Sequence, residues 1–318
     1  MITSERLRRK PGAFSSLTGM TVTEFDTLFD AFLLAQAQRR QSATHTKRGQ
    51  QPRRRAPGAG HPRAHDERTR LLMALVWLRV YPTYEVLGLL FDLEKGHAWD
   101  NVQDVLATLE TLARFAFERP AAERKRLGSV VAVMDAFPQV RLVIDAKEQR
   151  IERPEGYERQ KPYYSCKKKA HTLKNQLAAA PDGRIEAVSG SVPGGANHDL
   201  TLLRQTELLN QLDPEAVAGA MLDKGYVGIQ NDYPELPLIV PAKATRGHPL
   251  TEEQKASNRV IARYRIVVEH VMAQLNRFQV LRQVFRSVIP RHNRVIRIVA
   301  MLVNRRMEIK PLKVYAAA

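Results

Sequence analysis

The hydrophobic period changes midway along this chain from helical to strand-like, and the change dictates two structural units. Up to about residue 112 apolar residues recur at helical spacing, and beyond residue 128 they gather into short β-branched runs. Between the two, ERPAAERKRL (residues 118–127) is polar and charged and suits a connection better than a core. With 318 residues the chain is long enough for each unit to bury its own core. The pattern sets a helical region over 1–117, a linker over 118–130 and an α/β domain over 131–318.

In the helical region Phe25, Leu28, Phe29, Phe32 and Leu33 form one stripe, with Thr21 or Thr23 placed to cap the helix. A basic arm follows over 39–63, with eight arginines or lysines, no acid, three prolines and three glycines. That composition cannot build a core. It serves equally as a flexible connection or as an arm laid along DNA phosphates through Arg53, Arg54 and Arg55. Helical spacing resumes over about 64–112. Leu71, Leu72, Leu75, Val76 and Leu78 line a helix that Pro82 ends, and Thr83 caps a short second helix. DLEKG then turns into a third. Helix, short helix, glycine-containing turn and helix match a helix-turn-helix plan, and also a plain helical bundle. In the first case His97, Trp99 and Asn101 meet base edges.

Past the linker, VVAVMDA, VRLVIDA, AHTLKNQLAAA and RIEAVSGSV read as strands, with Asp182-Gly183 as the turn between the last two. A helix opens near Asp199, VAGAMLD and LPLIVPAK read as buried strands, and helices over about 252–281 and through NRVIRIVAMLVNRRMEI complete the domain. By analogy of element order, this is a ribonuclease-H-like α/β fold behind an all-α DNA-binding module. Three acids stand out. Asp145 ends the apolar run RLVID, Asp223 ends VAGAMLD, and Glu269 lies on the long helix among Val268, Val271, Met272 and Leu275. The chain has Lys+Arg 50 against Asp+Glu 33, a formal net charge of +17. Carboxylates gathered in so basic a chain need something to hold them. Divalent ions do so, and beside a polyanion they imply phosphoryl transfer. Arg153, Lys161, Lys167, Lys168, Lys169, His171 and Lys174 surround the first strands with Tyr163 and Tyr164 among them, a pattern that contacts phosphates and stacks on bases. His198, His270 and Lys224 adjoin acids; the histidines read as structural hydrogen-bonding groups.

HTLKNQ after YYSCKKKA, then GSVPGGANHDLTLL, DKGYVG and RIVVEHVMAQLNRF together resemble the IS5-group bacterial insertion-sequence transposases, kin of the eukaryotic Harbinger elements. LLMALVWLRVYPTYEVLGLLF is similar to the helix-turn-helix module that precedes their catalytic domain, so the resemblance spans roughly residues 15–310. It implies a DDE nuclease and strand transferase using Mg²⁺, with Mn²⁺ as a substitute and two ions in the site. Asp145 matches the first acid, and Glu269 the last, in an Arg-x-x-x-Glu pattern with Arg265. For the second acid the motifs offer Asp199 and Asp223. Asp223 is preferred, because it ends a strand while Asp199 is placed to cap a helix. The chain departs from the family's signature at Ala262 and Asn276, where a tyrosine and a lysine stand in the family. Tyr264 and Arg277 lie near but point elsewhere on a helix.

Cys166 is the one cysteine, which excludes a disulfide framework and a multi-cysteine zinc site. No apolar signal core, membrane-length run, Walker A loop or dinucleotide glycine fingerprint occurs. The expectation is a soluble cytoplasmic protein, at the nucleoid of a bacterium and without a membrane partner. It would bind the terminal inverted repeats of a mobile element, cleave DNA there and join the end to a target. Its partners are double-stranded DNA and further copies of itself, at least a dimer, because two ends must be brought together. The alternatives are a repressor that has lost catalysis and a nuclease that cuts without joining.

Overall fold

The computed structural model describes residues 1–42, 63–113, 142–195, 197–212, 217, 219–234, 238–244 and 247–309. Of the sequence expectations, the strand VVAVMDA, the linker 118–130 and most of the basic arm, including Arg53, Arg54 and Arg55, lie outside the described residues. The chain divides into two units, one of Met1–Arg114 with Phe278–Val280, the other of Phe115–Arg277 with Leu281–Ala318.

The first unit is helical: α1 (Ser4–Arg8), α2 (Pro11–Thr18), α3 (Val22–Ser42), α4 (Glu67–Val80), α5 (Tyr84–Phe91) and α6 (Lys95–Leu112). Thr21 caps α3 reciprocally with Glu24: the Glu24 N–H donates to Thr21 Oγ1 (3.2 Å) and the Thr21 N–H to Glu24 Oε2 (2.6 Å). Phe25, Leu28, Phe29 and Phe32 are buried as their spacing requires, while Leu33 at the edge of the stripe is 38% exposed. Asp66 caps α4, accepting from the Thr69 N–H, and the helix is buried throughout Thr69–Leu78, so it forms the centre of the unit instead of one side. Thr83 caps α5 as expected. The turn into α6 differs from its sequence reading. Asp92 takes the left-handed conformation (φ 56°), and Gly96 lies inside α6. The glycine that matters is Gly88, where an added Cβ would stand 2.3 Å from the Leu93 carbonyl oxygen.

The second unit is a mixed sheet with helices. Its strands are β1 (Leu142–Arg150), β2 (Tyr164–Ser165), β3 (Ala170–Ala179), β4 (Ile185–Val188), β5 (Val192–Pro193) and β6 (Ala220–Leu222). Strand order is β2-β3-β1-β6, with β4 and β5 also on β3. β1 pairs antiparallel with β3 and parallel with β6. The expected hairpin turn joins β3 and β4: Gly183 has φ 87°, and Asp182 Oδ1 accepts from the Arg184 N–H at 2.9 Å. The helices are α7 (Tyr157–Gln160), α8 (Asp199–Thr206), α9 (Glu252–Asn276) and α10 (Ile289–Ile309). α9 opens on a capping box of Thr251 and Gln254 and stops five residues short of its expected end. The described residues 238–243 of LPLIVPAK contribute one bridge, Ile239 to Met221, in place of a strand.

Alternation along β1 decides which face each residue serves. Leu142 and Ile144 join Ala178, Leu203, Leu222 and Tyr226 in a core on the α8 side. Lys147 and Gln149 point the other way, where they bond to groups of α9, of the segment after it and of α10. Asn304 of α10 clamps the β4 edge, accepting from the Ile185 N–H (2.9 Å) and donating to its carbonyl (2.8 Å).

Candidate active site

The parallel pairing of β1 with β6 sets Ile144 opposite Leu222. β6 ends there, and the next residue on each strand is an aspartate. Asp145 and Asp223 therefore stand side by side on neighbouring strands, about 4.8 Å apart at the backbone, and both are half-buried. Alternation puts both on the face opposite the α8 core. Asp223 behaves as its sequence predicts: it follows the last residue of β6 and caps the 3₁₀ turn Lys224–Tyr226, its Oδ1 accepting from the Lys224 N–H at 2.6 Å. Asp145 does not end its strand. It is the fourth residue of nine in β1, and its Oδ1 accepts from the Ala146 N–H at 2.7 Å.

Asp199 lies elsewhere. His198 holds the N-cap position of α8, so Asp199 is the first helical residue and not the cap. Its Oδ1 is 3.5 Å from Lys174 Nζ, and its Oδ2 rests against Gly225, where an added Cβ would come within 2.6 Å of it. Lys174 shares its face of β3 with Gln176 and the core residue Ala178, so Asp199 belongs to the α8 side of the sheet. Gln176 joins the two sides of this loop system: its Nε2 donates to the Asp199 carbonyl (3.0 Å) and to the Tyr226 hydroxyl (2.9 Å). Tyr226 is fully buried, and its phenol is pushed well above its ordinary pKa. Burial is the main cause; the charges of Asp199, Asp145 and Asp223 add to it and the Gln176 bond opposes it.

Glu269 corrects an expectation. It is exposed, while Val268, Val271 and Leu275 turn inward, so its carboxylate is not buried in apolar surroundings. Among the described residues no three His, Cys, Asp or Glu side chains are gathered closely enough to hold a metal ion. The structure brings Asp145 and Asp223 together and leaves Glu269 apart from them. The pair offers hard carboxylate oxygens, the donors that Mg²⁺ and Mn²⁺ take, so the residues present fit such an ion.

The remaining sequence candidates fall into distinct places. Lys167, Lys168 and Lys169 are exposed between β2 and β3, with Lys169 left-handed (φ 48°), and Tyr164 beside them is 44% exposed. Arg277 is exposed at the C-cap of α9, and Arg265 lies on α9 with its side chain outside the described residues. His198 and His270 are exposed. In the first unit His97 is exposed near the start of α6 and Trp99 is half-buried. Asn101 is not available to bases. It is buried, its Oδ1 accepting from Arg70 Nε at 2.6 Å and its Nδ2 donating to the Arg70 carbonyl at 3.3 Å.

Sequence reasoning passed over Lys147, which is 8% exposed and donates from Nζ to Asn276 Oδ1 (2.7 Å) and to the Leu281 carbonyl (3.0 Å). Burial, with Lys168 nearby, lowers its pKa to about 8. It also passed over His292, held between Ser191 Oγ (2.6 Å from Nδ1) and Gln149 Oε1 (2.9 Å from Nε2), its pKa lowered by burial to about 3. A period-two reading continued through IDAKEQ would have placed Lys147 on the Asp145 face; nothing local marks His292.

The family model described as DDE superfamily endonuclease matches residues 144–304. A probable transposase for insertion sequence element IS702 of Microchaete diplosiphon is 30% identical over 224 residues, covering 70% of this chain and 74% of that protein. The chain belongs to the insertion-sequence DDE transposases. No solved structure matches it. The DDE match begins at Ile144, immediately before Asp145, and takes in Asp199, Asp223 and Glu269, so every acid under discussion lies within the DDE domain. The Met1–Arg114 stretch of the first unit lies outside that match, and its Phe278–Val280 stretch lies within it.

Proposed function

We propose that this chain is an IS5-group transposase whose ribonuclease-H-like domain cuts DNA at the ends of its element and joins them to a target, with Asp145, Asp223 and Glu269 as the acids. The observation that carries the reading is the β1–β6 register, which sets Asp145 beside Asp223 inside the DDE domain. The same register favours Asp223 over Asp199 as the second acid, because Asp199 serves the opposite face of the sheet.

Asp145 and Asp223 would hold the divalent ions, Mg²⁺ or Mn²⁺, with Glu269 as the third acid. When bound, the ions supply Lewis-acid polarisation of the scissile phosphate and offset the charge that develops on it. In the first step water attacks the phosphorus at the element end and the P–O3′ bond breaks. The end keeps a 3′-hydroxyl, and the flank keeps a 5′-phosphate. In the second step that hydroxyl attacks a target phosphodiester and displaces the target's own 3′-oxygen, one ester forming as another breaks.

The chain's cations grip the DNA. Lys167–Lys169 with Tyr164, Arg265 and Arg277 meet the strand near the acids, while Arg53, Arg54 and Arg55 of the basic arm, and His97 and Trp99 of a helix-turn-helix built of α4–α6, engage the terminal repeats. Two ends held together require at least a dimer.

Cleavage of an end-labelled duplex carrying the element's own ends, with Mg²⁺, tests the reading. Asp145→Asn, Asp223→Asn and Glu269→Gln should each lower single-turnover cleavage on the order of a thousandfold while leaving duplex binding unchanged. Wild-type protein that binds the ends and never cuts them with any divalent ion would establish the repressor reading. Cutting without joined products would establish a nuclease.

A further inference from the structure

Lys147 is two residues past Asp145 on β1, and alternation puts both side chains on one face of the sheet. Its ammonium is buried, and its recorded acceptors, Asn276 Oδ1 at 2.7 Å and the Leu281 carbonyl at 3.0 Å, are both neutral. Asn276 is the last residue of α9, seven after Glu269. Seven residues make two turns of helix within about 20°, so Glu269 and Asn276 share one side of α9, roughly 10.5 Å apart along its axis. A single buried cation thus links the strand that carries the first acid to the end of the helix that carries the third.

A buried ammonium is costly when packing alone is needed. Val268, Val271 and Leu275 already pack α9 with apolar surface. What Lys147 adds is direction, because its two bonds fix where the end of α9 lies along β1. The chain after the helix keeps that alignment. Gln149 Nε2 donates to the Gln283 carbonyl (2.9 Å), and the Phe285 N–H donates to the Arg150 carbonyl (2.8 Å).

We infer that Lys147 is a positioning residue: its clasp on Asn276 and Leu281 sets the place of Glu269 relative to the Asp145–Asp223 pair, and so the affinity of the acidic site for a divalent ion. The inference rests on the assignment of those three acids.

The test is Mn²⁺ affinity of the full chain bound to its end duplex, read from the electron paramagnetic resonance signal of the free ion. Circular dichroism and duplex affinity serve as controls. Lys147→Met keeps the stem and removes the charge, and it should weaken Mn²⁺ binding by about tenfold or more, the range found for residues that orient metal ligands. The sign is diagnostic. A cation that merely stood near the acids would repel the ion, and its loss would tighten binding. Asn276→Leu should weaken binding in the same way, and Asn276→Asp, which keeps an acceptor for Lys147, should stay near wild type. The double variant Lys147→Met/Asn276→Leu should be no worse than either single one.

Unchanged or tighter Mn²⁺ binding in folded Lys147→Met overturns the inference. If that variant does not fold, unchanged binding in Asn276→Leu does the same. Failure of the acid assignment has a separate signature: Asp145→Asn and Asp223→Asn would then bind Mn²⁺ as wild type does.

Discussion

Asp199 and Gly225 show how two acids that one motif reading leaves as rivals come to serve different faces of the sheet. The Asp199 carboxylate rests on the backbone of the Asp223 loop, and Gly225 is the position that lets it do so. Gly225→Ala would put a Cβ 2.6 Å from Asp199 Oδ2, so the Asp199 carboxylate must turn aside. Asp223 then keeps its place, and cleavage should stay near that of wild type, measured by single-turnover kinetics. His292 carries a different prediction. Its folded pKa of about 3 lies below the ordinary histidine value, so the unfolded chain binds the extra proton first. The stability this implies is fully present above about pH 6.5 and is lost as pH falls toward 3, at up to about 1.4 kcal/mol per pH unit. Denaturant titrations at pH 7 and pH 5 should show that loss in the second unit, and His292→Gln should flatten it. The Asp223 position is legible in sequence because its apolar run stops at the acid. That of Asp145 is half legible: its strand runs on through Ala146–Arg150, whose buried polar members are satisfied by Asn276, Leu281, Gln283 and His292, more than a hundred residues away.

At the scale of elements, spacing reads well and turns read poorly. The capped starts of α3, α5 and α9 follow from local chemistry that a short window contains. The α5–α6 turn does not, because its tightness comes from an approach of two backbones. Gly88→Ala should destabilise the first unit by about 1–3 kcal/mol through overpacking against the Leu93 carbonyl, seen as a lowered melting temperature. Arg70 makes the same point for polar groups. Its side chain is 4% exposed and bonds to Glu67, Asp104 and Asn101, so the α6 residue that spacing offers to DNA is held inside the unit. Removing the guanidinium with Arg70→Met takes the Arg70 donor from Asn101 Oδ1, whereas Glu67 keeps Gln36, Arg40 and Arg63 and Asp104 keeps Arg39 and Arg63.

For the molecule as a whole, the change of hydrophobic period marks the α and α/β units, and the order of apolar runs anticipates β1, β3, β4 and β6. It overreads LPLIVPAK, apolar enough for a strand but, in its described residues 238–243, joined to β6 by one bridge. A chain carrying +17 should bind DNA with a strong salt dependence, its log affinity falling linearly with log salt as counterions are released. Among the described residues no helix is long and apolar enough to cross a membrane. The central claim is that Asp145 and Asp223, neighbours across two parallel strands, form the catalytic pair. It is tested most directly by Mg²⁺-dependent cleavage of the element's ends by wild type, Asp223→Asn and Asp199→Asn side by side. Asp223→Asn is expected to abolish cleavage while Asp199→Asn retains a measurable rate. Cleavage that survives Asp223→Asn and disappears with Asp199→Asn would contradict it.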